Sequence, residues 1–321
     1  MLKPDRTLAI GPMTADPGSR ALGRIPVDLG GPVVELPVVL LNGARPGPRL
    51  GVTAGIHGAE YVSIAALRDV ALGLDPATLS GSLIAVLTAN PAAFAARSIY
   101  VNPIDGRNLN RLFPGDPAGT PSERLAAWLF ANVIRPADAF VDMHCGDMNE
   151  ALASFTGVEE TGDPAVDARS FAMAEAYGLG TVLVGATPGS TTTAAAAVGI
   201  PAVLGEVGGQ GRWPAEDVAL HAAGLRRVLR SLGMVDDAPD EPRRPTVRLD
   251  HEAWLRSEAD GCWEPAVAVG DRVSTGQEVG VVRDIFGLPL QVVRAPLEGI
   301  VLFLVTSLAM NVGDPLLAIA G

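Results

Sequence analysis

Apolar residues recur along this chain in two rhythms. Short apolar runs stop at Gly, Pro or Asn, and longer stretches between them place apolar residues every third or fourth position. Within residues 33–55, VVELPVVLL and RLGVTAG predict two strands joined by the turn-forming NGARPGP. SLIAVLTANP predicts another, stopped by Asn90-Pro91, and AFVDMH, TVLVG and IPAVLGEVGG predict three more. Helical spacing marks residues 59–72, 121–135, PAVDARSFAMAEAYGL and DVALHAAGLRRVLRSLGM. The helix at 121–135 carries Pro121 in its first turn and Glu123 near its positive end. The run TTTAAAAVG reads as a loop and a packed helix. Strands alternating with helices imply an α/β fold, a mostly parallel or mixed sheet flanked by helices.

The rhythm then changes. DDAPDEPRRP (236–245) is charged, proline-rich and apolar-poor, the composition of a linker. From about residue 246 the chain shows short strands at regular spacing and no helical stretch, as in WEPAVAVGDRVSTGQEVGVV. Two domains follow as an expectation: a larger α/β domain over 1–240 and a barrel-like all-β domain over 246–321.

At 321 residues and 48% hydrophobic composition, the chain can bury a sizeable core. A formal charge of -12 argues against nucleic acid or an anionic membrane surface as partner, since both call for basic patches. No apolar stretch reaches transmembrane length. MLKPDRTLAIGPM is too short and too broken by Pro and Gly for a signal peptide, so a cytoplasmic location is expected. Cys145 and Cys262 lie far apart and suggest neither a disulfide framework nor a thiolate zinc site.

Of the four histidines, His57 in AGIHGAE and His144 in VDMHCGD follow predicted strands, where α/β sheets collect their ligands. His221 falls in an amphipathic helix and His251 at the polar start of the β module. Glu60 lies three residues after His57, and a His-x-x-Glu step where strand passes to helix can turn both side chains to one point. With His144 they make a His2Glu set that leaves a fourth position for water, as in catalytic zinc sites, although a lone His-x-x-Glu is common by chance. Glu206, ending an apolar strand in VLGEVGG, is a candidate proton shuttle if burial raises its pKa; the alternative is a glutamate that caps a helix or pairs with Arg212. The loop RSIYVNPIDGRNLNRLFPGDP (97–117) offers Asn110 and Arg111 for a substrate carboxylate and Arg97 or Arg107 for a developing oxyanion. Its alternative reading is a surface loop held by arginine pairs with Asp105 and Asp116. Cys145 adjoins His144, but adjacent residues on an extended chain point opposite ways and no separate base is evident for the thiol.

The pieces AGIHGAE, NPAAF, DGRNLNRLFPG, VDMHCGD and GIPAVLGEVGG, in this order over most of the first 210 residues, resemble the succinylglutamate desuccinylase/aspartoacylase family of the zinc carboxypeptidase superfamily. The resemblance implies a zinc-carboxypeptidase-like fold and one Zn2+ per chain held by His57, Glu60 and His144. It implies Glu206 as the acid/base that activates zinc-bound water and protonates the leaving amine, and Asn110 and Arg111 as holders of a substrate carboxylate. An upstream arginine stabilises the oxyanion in the family; Arg97 is the choice here and Arg107, also a substrate-binding candidate, its rival. Close relatives often carry Asp where this chain has Asn108. The implied activity is removal of an acyl group from the nitrogen of a small amino acid, and PIDGRNLNRLFPGDPAGTPSE is most similar to the branch that holds N-acetyl-diaminobutyrate deacetylases. The rival readings are a metallocarboxypeptidase acting on short peptides and a non-catalytic binding protein on the same fold. The C-terminal module is similar to the family's β domain, which resembles lipoyl carriers, but no lysine follows residue 3 to bear a cofactor. Its implied role is to narrow the site entrance; self-association into a homo-oligomer is left open.

Overall fold

The computed structural model describes residues 7–236 and 245–321, so most of the linker reading at 236–245 lies outside the described residues. A nine-stranded sheet runs in the order Val247–Leu249, Thr181–Val184, Phe155–Val158, Ala202–Glu206, Ala139–His144, Arg45–Ala54, Ser80–Val86, Val33–Asn42, Ser19–Asp28. Five of its eight neighbouring pairs are parallel and three antiparallel, so the sheet is mixed. Ser19–Asp28 and Val33–Asn42 must pair antiparallel, because only four residues join them and a parallel crossover needs a dozen or more.

Side chains alternate between two cores, one on each face of the sheet. In Val33–Asn42, Val39 and Leu41 enter the first core, while Leu36, Val38 and Leu40 enter the second. Helices Tyr61–Gly73, Pro164–Tyr177 and Ala215–Ser231 cover the first face through Leu67, Val70, Met173, Tyr177, Leu225 and Val228. Pro121–Leu129 and the short helix Thr191–Ala196 cover the second through Leu125, Leu129, Ala194 and Ala195. Small side chains in TTTAAAA let that short helix lie close on the sheet beside Ala139–His144 and Ala202–Glu206.

The helix expected over 121–135 is α-helical only through Leu129, after which Phe130–Ile134 forms a π turn. Thr120 and Glu123 close its start as a capping box. Strands Leu8–Ile10, Met13–Ala15, Ser19–Asp28, Glu150–Leu152 and Phe155–Val158 and helix Pro91–Ala96 were not legible as such.

The C-terminal strands build two antiparallel sheets around Trp263, Val279, Val282, Phe303, Leu317 and Ile319. Two pairings tie them to the larger sheet's body. Val247–Leu249 joins that sheet alongside Thr181–Val184, and Glu150–Leu152 pairs with Phe303, Leu304 and Val305. Among the described residues no helix is long and apolar enough to cross a membrane.

Candidate metal centre

The parallel strands deliver their last residues to one edge of the sheet. His57 follows Arg45–Ala54, His144 ends Ala139–His144, and Glu206 ends Ala202–Glu206 in register with His144. Glu60 is the N-cap residue of the helix Tyr61–Gly73, and its carboxylate turns back to accept the His57 backbone N–H at 3.1 Å. Gly58 lets this turn form: a Cβ there would lie 2.3 Å from the Ala93 carbonyl oxygen.

Three side chains meet at this edge. His57 Nδ1 and His144 Nδ1 each lie 2.7 Å from Glu60 Oε1. Among the described residues theirs is the one group of His, Cys and carboxylate atoms close enough to share an ion, with all ligand atoms within 4.8 Å of one another. Glu60 is 1% exposed and His144 2%, so water does little to screen them.

The partners of the outer imidazole nitrogens decide what the inner ones present. Asn108 Oδ1 accepts the Asn110 backbone N–H at 2.8 Å, which identifies it as the oxygen, and it faces His57 Nε2 at 3.2 Å. Asp142 Oδ2 faces His144 Nε2 at 2.7 Å. Both Nε2 atoms are therefore N–H donors, and each neutral ring points its Nδ1 lone pair at the Glu60 carboxylate. Three electron-rich atoms within hydrogen-bonding distance need positive charge among them. Protons are one source: burial disfavours an imidazolium at either histidine, yet Glu60 raises His57, and Asp142 with Glu60 raises His144 well above the ordinary range. Burial likewise disfavours the Glu60 carboxylate, but His144 and His57 hold its pKa at about 2. A divalent cation is the other source, and two neutral imidazoles with one carboxylate are a donor set that suits zinc.

Glu206 stands beside this triad. Burial pushes its carboxyl up to about 8, His144 partly opposes the shift, and Glu60 and Glu150 add to it. Its Oε2 is buried with no hydrogen-bond partner among the described residues. Such a group keeps a proton near neutrality and can exchange it.

The other residues named from sequence fall into two sets. Asn110 is buried, with Oδ1 taking the Thr191 backbone N–H at 3.0 Å, and the exposed Arg111 follows it in the turn Leu109–Arg111. Although Arg111 is open to solvent, partial desolvation of its guanidinium lowers its pKa, Arg256 of the C-terminal sheets adds to the lowering, and Glu252 opposes it. Arg97 caps the helix Pro91–Ala96 in a left-handed conformation (φ 55°) and is exposed. Arg107, by contrast, is engaged elsewhere: Nη1 lies 2.9 Å from Glu123 Oε1 and 3.3 Å from Thr120 Oγ1, at the capping box.

Cys145 points into the core opposite His144, and burial raises its thiol well above the ordinary range. His221 supports the site's backbone: Nε2 donates to the His144 carbonyl at 3.0 Å, Nδ1 accepts from Tyr177 Oη at 2.6 Å, and burial lowers its pKa to about 3. Sequence reasoning missed Asp142, Thr53, Thr191 and the orienting contact of Asn108. Asp142 carried a usable mark, since a residue two before His144 on a strand shares its face.

Comparison with known proteins gives the family of the chain. Residues 46–232 match the succinylglutamate desuccinylase/aspartoacylase catalytic domain. The chain is 30% identical to the N-alpha-acetyl-L-2,4-diaminobutyric acid deacetylase of Halomonas elongata over 296 residues, covering 89% of this chain and 86% of that protein. A succinylglutamate desuccinylase/aspartoacylase structure from Rhodobacter sphaeroides superposes with a TM-score of 0.85 at 30% identity, over 94% of this chain and 95% of the other. The product-bound structure of the ectoine utilization protein EutE (DoeB) from Ruegeria pomeroyi gives a TM-score of 0.87 at 27% identity over 99% of both chains. Fold, site and relatives together define a hydrolase of carbon–nitrogen amide bonds. The chain belongs to the succinylglutamate desuccinylase/aspartoacylase family.

Proposed function

We propose that the chain is a zinc-dependent deacylase that releases the amine of a small N-acyl amino acid, with an N-acetylated diamino acid as the first substrate to test. The observation that carries this reading is the convergence of His57 Nδ1 and His144 Nδ1 on Glu60 Oε1, beside the unpartnered Oε2 of Glu206. His57, Glu60 and His144 would hold one zinc ion per chain, which when bound supplies Lewis acidity to activate water and polarise the scissile carbonyl. Glu206 Oε2, as the carboxylate, takes a proton from the attacking water and returns it to the leaving nitrogen; its pKa of about 8 belongs to the metal-free site, and a bound divalent cation would favour the ionised form. Arg111 pairs with the substrate carboxylate and Asn110 Nδ2 donates beside it, because Asn110 Oδ1 is occupied by Thr191. Arg97, the family resemblance's choice, is assigned to stabilise the developing oxyanion. The ion pair with Glu123 makes Arg107 a loop-holding residue in this scheme.

The diamino-acid substrate rests on the name of the Halomonas elongata relative. The assignment of residues 1–240 to catalysis and 246–321 to the entrance draws support from the electrostatic reach of Glu252 and Arg256 to Arg111. A cytoplasmic setting fits two free cysteines. The test is amine release from N-alpha-acetyl-L-2,4-diaminobutyrate, N-acetyl and N-succinyl amino acids and short peptides, each with zinc-loaded and chelator-stripped protein. Zinc-dependent release from N-acyl amino acids is expected. Release from peptides alone, or equal rates without metal, would overturn the reading.

A further inference from the structure

The TTTAAAA run supplies a residue that the chemistry above does not use. Thr191 is fully buried, and both of its polar groups reach other segments of the chain. Its backbone N–H, left without an intrahelical acceptor at the start of Thr191–Ala196, donates to Asn110 Oδ1 at 3.0 Å. Its hydroxyl donates to Asp142 Oδ2, the oxygen that also takes the His144 Nε2 proton. The other carboxyl oxygen, Asp142 Oδ1, takes the Thr53 hydroxyl at 2.6 Å, so the Asp142 side chain is clamped by two threonines and one imidazole.

Followed in both directions, these bonds run from His57 Nε2 to His144 Nε2, and the two imidazoles meet again at Glu60 Oε1. One arm runs from His57 Nε2 to Asn108 Oδ1, which also takes the backbone N–H of Asn110. From Asn110 Oδ1 it continues through Thr191 to Asp142 and His144 Nε2. The turn that carries Arg111 is thus bonded on one side to the partner of His57 and on the other, through Thr191, to the partner of His144. Gly189 presses the same segments together, since a Cβ there would lie 2.3 Å from the Arg111 carbonyl oxygen.

We propose that Thr191 is a positioning residue that couples the substrate-binding turn at Asn110 and Arg111 to the orientation of His144, so that one chain of hydrogen bonds behind the two imidazoles sets both the metal ligands and the carboxylate grip. The proposal rests on the reading of His57, Glu60 and His144 as metal ligands. The hydrogen bonds of Thr191 go to Asn110 and Asp142 and to none of the ligand atoms. Loss of its hydroxyl frees Asp142 Oδ2 to turn away from His144, and partners of ligating histidines are worth roughly 10- to 100-fold in metal affinity.

The test compares Thr191→Val, which keeps the N–H and the shape but removes the hydroxyl, with Thr191→Ser, which keeps both bonds. Zinc affinity is read by chelator competition, KM and kcat with N-alpha-acetyl-L-2,4-diaminobutyrate, and ligand-field geometry from the visible spectrum of the cobalt-substituted protein. Thr191→Val should bind zinc about tenfold or more weakly, alter the cobalt spectrum and raise KM, and Thr191→Ser should restore all three. Thr191→Ala gives the same comparison if the valine variant does not fold. Wild-type zinc affinity, spectrum and KM in the hydroxyl-free variant would overturn the proposal alone. So would a serine variant as defective as the valine. A wild-type chain that binds no zinc at the triad would overturn the metal reading and the proposal with it.

Discussion

Replacing Glu206 with Gln should raise the stability of the metal-free protein at high pH while removing most of its catalysis. The native environment lifts the Glu206 carboxyl from an ordinary 4.5 to about 8, first through burial and then through Glu60 and Glu150 against His144. The fold therefore prefers the protonated group. Its stabilising contribution is complete below about pH 4.5 and is lost as pH rises through about 8, because the unfolded chain ionises first. At about 1.4 kcal/mol per pKa unit, the upper bound on that loss is roughly 5 kcal/mol by pH 9. Gln has nearly the same shape and carries no proton to lose. Metal-free Glu206→Gln should melt close to wild type at pH 5 and several degrees above it at pH 9, at about 2–4 °C per kcal/mol for a large domain. Thermal melts of chelator-treated protein from pH 5 to 9 measure this. Turnover of the zinc-loaded variant should fall at least about 100-fold, the low end for loss of a general acid–base. Parallel melting curves across the pH range, together with turnover within tenfold of wild type, would refute both the burial and the role assigned to Glu206.

Asp142→Asn should leave the fold intact and weaken zinc by about 10- to 100-fold in chelator competition, because the amide can turn an N–H toward His144 Nε2 and disturb its tautomer. Unchanged affinity would show that Asp142 does not orient the ligand. Arg111→Ala should raise KM at least about tenfold for substrates with a free carboxylate and much less for their methyl amides, as expected on loss of a charge-assisted pair. Arg107→Ala should leave KM unchanged and cost under about 1 kcal/mol in denaturant unfolding, since its ion pair with Glu123 is partly exposed. A reversal of these two KM effects would exchange the roles of the arginines.

His57, His144 and Glu206 were legible in the sequence for a shared reason. Each follows an apolar run that must be a buried strand, and the ends of parallel strands gather along one edge. Glu60 was legible through its spacing from His57. The network behind them was not. Thr191 looks like one of three threonines before an alanine run, and only the docking of that short helix beside Ala139–His144 brings its hydroxyl to Asp142. The bond from His57 to Asn108 joins segments 51 residues apart, which no local pattern records. Arg107 shows the opposite case. Its neighbourhood suggested substrate binding, but Glu123 reaches it from a helix whose capping box was itself readable as Thr-x-x-Glu. The strand Ser19–Asp28 escaped notice because it is a largely exposed edge strand with Gly23 and Pro26 inside it, both residues that weaken a strand pattern.

Zinc-loaded crystals, with diffraction recorded just above and just below the zinc absorption edge, give the most direct check on where the ion sits. A single strong anomalous peak in contact with His57 Nδ1, the Glu60 carboxylate and His144 Nδ1 is expected in each chain. A map with no peak there, in which both imidazoles remain hydrogen-bonded to Glu60 while the zinc lies elsewhere, would contradict the assignment of the centre.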